Sequence, residues 1–204
     1  MGKADFGNLR LTIHETVYEP SEDSFLLAKY AQSLRGDILE IGTGTGIAAL
    51  SAAAASPKNR VIGVDINPLA VGCAKGNAAA NGISNCRFLE SDLFSAIPSG
   101  KKFNAILLNP PYLPTTQKEK LSSNEENAAY DGGKTGLSVF MRFVKAAPSY
   151  LAPNGKVAVI ATSLGGGIEK TALALQKHVG ATHTISQESF FFEKIVLLEA
   201  EKKP

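Results

Sequence analysis

From residue 37 onward, short runs of β-branched and other apolar residues alternate with stretches of helical character, and that order restricts the chain to few folds. Parallel strands joined by crossover helices produce it, whereas a sheet built from hairpins does not. Strands are predicted at 37–41, 60–65, 86–90, 104–109, 156–161, 182–187 and 194–199. Helices are predicted at 21–34, 47–55, 68–81, 137–151 and 167–179. Ser21 is expected to cap the first helix, with Glu22 and Asp23 favouring its positive end. Pro68 after Asn67 starts the third helix and Gly82 stops it. The expected architecture is an α/β doubly wound, seven-stranded, mostly parallel sheet with helices on both faces. Ahead of residue 37 one helix is expected and no separate domain. At 204 residues the chain is read as a single domain, 1–204, because one core suits that length and two do not.

Composition narrows the class of function. An apolar content of 44% against 20% charged residues is that of a soluble globular protein, and a net charge of +2 is too weak a field to call for nucleic acid. Cys73 and Cys86 form neither a CxxC pair nor a zinc-like set, so no metal is expected and a reducing compartment is. No stretch reaches the ~18 apolar residues that a membrane span needs, and no signal core is seen at the N-terminus, so a cytoplasmic location is expected. His14, His178 and His183 have no motif around them.

The first predicted strand runs into Gly42-Thr43-Gly44-Thr45-Gly46, three glycines in alternation at a strand-to-helix turn. In an open parallel sheet such a turn lines the ligand crevice, and glycine lets a ligand approach without a Cβ in the way. Close helix packing is the alternative reading. Ile47 stands where a dinucleotide fingerprint wants its third glycine, so a nucleoside-type ligand fits better than a dinucleotide. Asp65 ends the second strand about 20 residues further on, where a carboxylate can accept bonds from both ribose hydroxyls. Its alternative is to cap the helix at Pro68, a task Asn67 can perform. Glu40 lies within an apolar strand and needs either a cationic ligand group or an internal network. Asp92, after the third strand, can accept a bond from an adenine amino group while Leu93 packs on the ring.

Asn109-Pro110-Pro111-Tyr112 follows the fourth predicted strand. Two prolines delete backbone donors, leaving the Pro110 carbonyl and the Asn109 side-chain oxygen as two acceptors. A primary amide or exocyclic amine offers two matching N–H donors, and Tyr112 can cover such a planar group. Holding both hydrogens turns the nitrogen toward an electrophile, which suits an SN2 methyl transfer from a sulfonium. A plain Asn-Pro turn is the competing reading. The aperiodic segment 115–136 reads equally as a lid or as irregular surface.

Taken together, these motifs resemble the class I S-adenosylmethionine-dependent methyltransferases of the HemK/PrmC type, which methylate the glutamine of the Gly-Gly-Gln loop in peptide-chain release factors. The resemblance rests on Val17-Tyr18-Glu19-Pro20-Ser21-Glu22-Asp23-Ser24, Glu40 to Gly46, Asp65-Ile66-Asn67-Pro68, Asp92-Leu93, the Asn109 tetrad and Gly132-Gly133-Lys134-Thr135-Gly136-Leu137. The first of these looks like the short archaeal and eukaryotic branch. The resemblance implies a Rossmann-like fold and S-adenosylmethionine as cofactor. The cofactor contacts it implies are Ser24, Glu40, Gly42, Gly44, Gly46, Asp65, Ile66, Asp92, Leu93 and Asn109. The glutamine would meet Asn109, Pro110, Pro111 and Tyr112, with Asn109, Pro110 and Tyr112 catalytic. The N-terminal helical domain that bacterial relatives carry is not expected here. In the short branch a small zinc-containing activator subunit pairs with the catalytic one, and residues 86–90 are the expected edge strand for it, with Phe88 and Phe94 as candidate contacts. The rival reading is an N-methyltransferase acting on an exocyclic amine of adenine or guanine in RNA or DNA. A non-catalytic cofactor-binding scaffold is a second rival.

Overall fold

A computed structural model describes residues 1–111, 137–163 and 167–203. The chain opens with β1 (Gly2–Phe6) and β2 (Leu9–Ile13), an antiparallel hairpin, followed by α1 (Glu22–Ala31). The main sheet then forms from β3 (Asp37–Ile41), β4 (Arg60–Asp65), β5 (Cys86–Glu90), β6 (Phe103–Leu108), β7 (Leu151–Thr162), β8 (Thr182–Ser189) and β9 (Lys194–Glu201). Between the strands lie α2 (Ile47–Ala54), α3 (Pro68–Ala80), α4 (Ser138–Ala146) and α5 (Ile168–His178). The strand order is β5-β4-β3-β6-β7-β9-β8, and only the pairs made by β9 are antiparallel. From β3 the chain first builds outward through β4 to β5, then returns to lay β6 on the other side of β3. That reversal opens a crevice beyond the carboxyl ends of β3 and β6.

Both faces of the sheet are covered, and the period of two along each strand decides which residue goes where. In β6, Ala105 and Leu107 join the core under α1, α2 and α3, while Ile106 and Leu108 join the core under α4 and α5. In β3, Ile38 faces the first of these cores and Leu39 and Ile41 the second. By the same parity Glu40 and Asn109 fall on the α1–α2 side. Among the described residues no helix is long and apolar enough to cross a membrane.

Differences from the sequence expectations have identifiable causes. The N-terminal hairpin was not anticipated. Its second strand buries Leu9, Leu11 and Ile13, and its polar edge is satisfied by a helix instead of a strand. Asn81 receives the Arg10 N–H at 2.9 Å and gives its amide to the Arg10 carbonyl at 2.8 Å, while Asn77 does the same for Thr12 at 2.8 and 3.0 Å. Residues four apart on a helix rise ~6 Å and residues two apart on a strand ~6.8 Å, so two carboxamides can stand in for a strand partner. The helix expected at 137–151 breaks at a 3-10 turn, Ala147–Ser149, because Pro148 cannot continue the ladder. Strand β7 then starts at Leu151, but its regular pairing with β6 resumes only at Lys156. Strand β5 does form the sheet edge, as expected. Phe88 and Phe94, however, are 3% and 6% exposed, so burial in the two cores removes them as partner contacts.

One close approach ties the sheet to the crevice. A Cβ built on Gly63 of β4 would lie 2.7 Å from both the Phe88 ring and the Thr43 hydroxyl, all within packed interior. Gly63→Ala is therefore expected to destabilise the protein by about 1–3 kcal/mol through overpacking. Urea unfolding measures this, and an unchanged midpoint would contradict the packing described.

Candidate active site

Five chain segments converge on the crevice: the entry to α1, the β3–α2 glycine turn, and the residues after β4, β5 and β6. They enclose a cavity of about 420 Å³, within the range of small-molecule sites. Asp23, Ser24, Glu40, Gly42, Gly44, Asp65, Ile66, Asp92, Leu93, Asn109, Pro110 and Pro111 line it. Tyr112 and residues 132–136 lie outside the described residues, as does segment 115–136.

The glycine turn is shaped by positive φ at Gly42 (70°) and Gly44 (54°), conformations that a side chain would strain. A Cβ on Gly44 would meet no atom within 4 Å, so its glycine answers to backbone geometry, not to crowding. Gly46 shares the positive φ (85°) and adds crowding. It does not line the cavity; a Cβ there would press on Ala74 at 3.0 Å and Phe88 at 3.3 Å. The structure thus gives Gly46 the packing role between α2 and α3.

Glu40 is 4% exposed, and its Oε2 accepts the Thr43 hydroxyl at 2.7 Å and the Ala49 N–H at 2.9 Å. Burial pushes its carboxyl up to about 8; the two donors oppose this and the Asp65 charge adds to it. Asp65 bridges two loops. Its Oδ2 accepts the Gly44 N–H at 2.9 Å and its Oδ1 the Asn67 N–H at 3.0 Å. Burial raises its pKa while these backbone donors hold it back. The helix cap falls to Asn67, whose side chain accepts the Leu69 N–H at 2.9 Å. Asp65 is left lining the cavity, pinned to the glycine turn. Asp92 sits at the rim in an ion pair with Arg142 of α4 at 2.6 Å. Leu93 beside it holds a left-handed φ of 50°, braced by the Ser91 hydroxyl donating to its carbonyl at 2.9 Å.

Asn109 is the first residue beyond β6. Its Nδ2 donates to Asp23 Oδ2 at 2.9 Å, while its buried Oδ1 has no partner among the described residues. The sequence explains that vacancy on the acceptor. An asparagine in a turn usually accepts the N–H two residues on; here that residue is Pro111 and the one between is Pro110, neither of which has an N–H. Asp23 itself is 1% exposed. Like the exposed Glu22 it stands in the first turn of α1, where it accepts the Ser24 N–H, and it also turns inward to the crevice. Ser21 occupies the N-cap position, but its hydroxyl donates to Asp23 Oδ1 at 2.8 Å and accepts no helix N–H. Sequence reasoning also missed Arg142, for which no motif exists. Asp23 did carry a signal, since only Ser24 separates it from the apolar run Phe25-Leu26-Leu27-Ala28.

Four carboxylates and one guanidinium therefore face a cavity at the switch point of a seven-stranded sheet whose β9 is reversed. This fold and site define a class I methyltransferase. Residues 21–125 match the methyltransferase small domain family. A Methanocaldococcus jannaschii protein, provisionally named protein N5-glutamine methyltransferase, is 42% identical over 194 residues, 94% of this chain and 95% of its own. The release factor glutamine methyltransferase of Geobacter sulfurreducens is 32% identical over 189 residues, 88% of this chain but 64% of its own length. The E. cuniculi Mtq2–Trm112 complex, described as responsible for methylation of the eRF1 translation termination factor, shares the fold with a TM-score of 0.69 at 21% identity, over 92% of this chain and 99% of that one. The chain belongs to the methyltransferase small domain family and, within it, stands with the glutamine methyltransferases of the HemK/PrmC type.

Glu40 makes stability depend on pH in a defined sense. Its folded pKa of about 8 lies above its ordinary 4.5, so its contribution is fully present below about 4.5 and is lost as pH rises through 8. The ligand-free protein should lose thermal stability across that window relative to Glu40→Gln. Calorimetric midpoints measured for both from pH 5 to pH 8 should converge at the acid end; parallel curves would contradict the assignment.

Proposed function

We propose that the protein transfers a methyl group from S-adenosylmethionine to the side-chain amide nitrogen of the glutamine in the Gly-Gly-Gln motif of a peptide-chain release factor. The observation that carries this reading is the unsatisfied Asn109 Oδ1, an acceptor stripped of local donors at the mouth of an acidic cavity. An incoming carboxamide donates one N–H to it and the other to the Pro110 carbonyl. Tyr112, the last residue of the tetrad, covers the planar group.

The cofactor, when bound, supplies an electrophilic methyl on a sulfonium. The residues present suit it. Glu40 and Asp65 resist ionisation while buried without a cation, so a positively charged ligand group is favoured beside them. Asp65 serves the ribose hydroxyls and Asp92 the adenine amino group, with Ile66 and Leu93 against the base, Gly42 and Gly44 allowing close approach and Ser24 at the methionine end. Asn109 and Pro110 hold the two amide hydrogens, so the nitrogen lone pair faces the methyl. With the cofactor bound, the transfer would form an N–C bond at the expense of the C–S bond, whose electrons would stay on sulfur, and one amide proton would pass to water. Positioning and charge stabilisation carry such a reaction without a strong base.

Residues 1–204 act in this reading as one methyltransferase domain, located in the cytoplasm where release factors work. A small zinc-containing activator subunit docks on the open edge of β5, where Leu89 is 38% exposed. The Mtq2–Trm112 complex supports a two-subunit arrangement. If the purified chain is monodisperse and reaches full turnover without a partner, the subunit is not required.

Asn109→Ala should lower kcat by ~10² to 10³ while leaving S-adenosylmethionine affinity largely intact. Labelled cofactor is incubated with a release factor and, in parallel, with DNA and RNA. Mass spectrometry should place the methyl on the Gly-Gly-Gln peptide. Label in nucleic acid and none in protein would replace this reading with base methylation.

A further inference from the structure

The two ends of an asparagine carboxamide are nearly equal in size, so the groups around them decide which end faces a ligand. A carboxylate has no hydrogen to give and can receive only N–H or O–H. Asp23 is placed beside Asn109 by α1, and five donors reach it from described residues. Its Oδ1 receives the Ser21 hydroxyl at 2.8 Å, the Ser24 hydroxyl at 3.0 Å and the Ser24 N–H, while its Oδ2 receives the Tyr18 hydroxyl at 3.1 Å and Asn109 Nδ2 at 2.9 Å. The Tyr18 and Ser21 hydroxyls lie 2.9 Å apart, one on each carboxylate oxygen. The carboxylate is 1% exposed, so water does not compete for it.

We infer that Asp23 is a positioning residue for methyl transfer: it fixes the Asn109 carboxamide with nitrogen inward and Oδ1 toward the substrate, and its charge strengthens that acceptor. This rests on the reading of the crevice as a carboxamide methylation site. An Asn109 turned the other way would present N–H to a substrate nitrogen that itself offers only N–H, and the grip would be lost. The prolines and the aspartate act together. Pro110 and Pro111 keep the oxygen unclaimed, and Asp23 keeps the amide from rotating. A charged acceptor on Nδ2 also polarises the amide, making Oδ1 a stronger acceptor in a site shielded from water. It further favours the positive charge that gathers on the substrate nitrogen as the methyl arrives.

The discriminating variant is Asp23→Asn. The Ser24 N–H cannot rotate away, so the new carboxamide turns its oxygen toward Ser24 and its nitrogen toward Asn109, where donor now meets donor. Asn109 is expected to flip. In the ligand-free protein, the Asn109 side-chain amide protons, identified by their loss in Asn109→Ala, should show one proton shifted downfield and slow to exchange in wild type, with that signature gone in Asp23→Asn. Turnover on a Gly-Gly-Gln peptide should fall by ~10² to 10³ with cofactor affinity little changed. Combining Asp23→Asn with Asn109→Asp restores an acceptor toward both neighbours, and this swapped pair should recover part of the lost kcat, which a merely structural role would not do. Wild-type amide resonances in Asp23→Asn, or a swapped pair no faster than the single variant, would overturn the inference. Should wild type methylate no carboxamide at all, the functional reading fails, while the amide resonances still decide whether Asp23 orients Asn109.

Discussion

The pairing of β3 with β6 is the constraint on which the crevice depends. Ile41 lies opposite Leu108, so both strands end together and the glycine turn leaves the sheet beside the Asn109 tetrad. A Cβ on Gly42 would stand 3.9 Å from the Asn109 carbonyl, which shows how near the two loops run. A slip of one residue would carry Glu40 and Asn109 to the α4–α5 face and dismantle both halves of the site. Burial on both faces is what pins this register.

Electrostatics at the crevice follows from what the fold buries. Three carboxylates, on Asp23, Glu40 and Asp65, are held by hydrogen-bond donors, Asp65 by one from its own loop and one from the glycine turn, and the Asp92–Arg142 pair sits nearer water. The interior acids are costly in the absence of a cation, and the donors offset only part of that cost. Such a cavity favours a ligand carrying positive charge near Glu40 and hydroxyls near Asp65. The other end, where Asn109 and the two prolines present acceptors, suits a neutral group with paired N–H donors. One cavity thus offers a place for a cation and a place for a carboxamide.

Much of this was legible in the sequence because it depends on local patterns. Strands β3, β4 and β5 lie where their apolar runs and glycines put them, and β5 takes the edge position. Asn67 and Asp65 divide the cap and the cavity as their spacing suggested. What stayed hidden depends on distant partners. The alternation Leu9-Arg10-Leu11-Thr12-Ile13 was on view with Gly7-Asn8 before it, but its polar partners are Asn77 and Asn81, more than 60 residues away on a helix. Asp23 reads as a helix-end acid until α1 is laid against β6. Phe88 looked like an edge contact because edge position says nothing about which face a residue takes, and the parity of β5 turns it inward. Gly46 belongs to the motif by sequence and to helix packing by geometry, since only the tertiary fold brings Ala74 against it.

The account is tested most directly by a crystal structure with a non-reactive sulfonium-mimicking cofactor analogue and a Gly-Gly-Gln peptide bound together. It predicts the analogue along the glycine turn with its ribose on Asp65, and the glutamine nitrogen within hydrogen-bond distance of Asn109 Oδ1, facing the position of the transferable group. An analogue lodged elsewhere, or a glutamine bound with Asn109 Oδ1 turned away from it, would contradict the account.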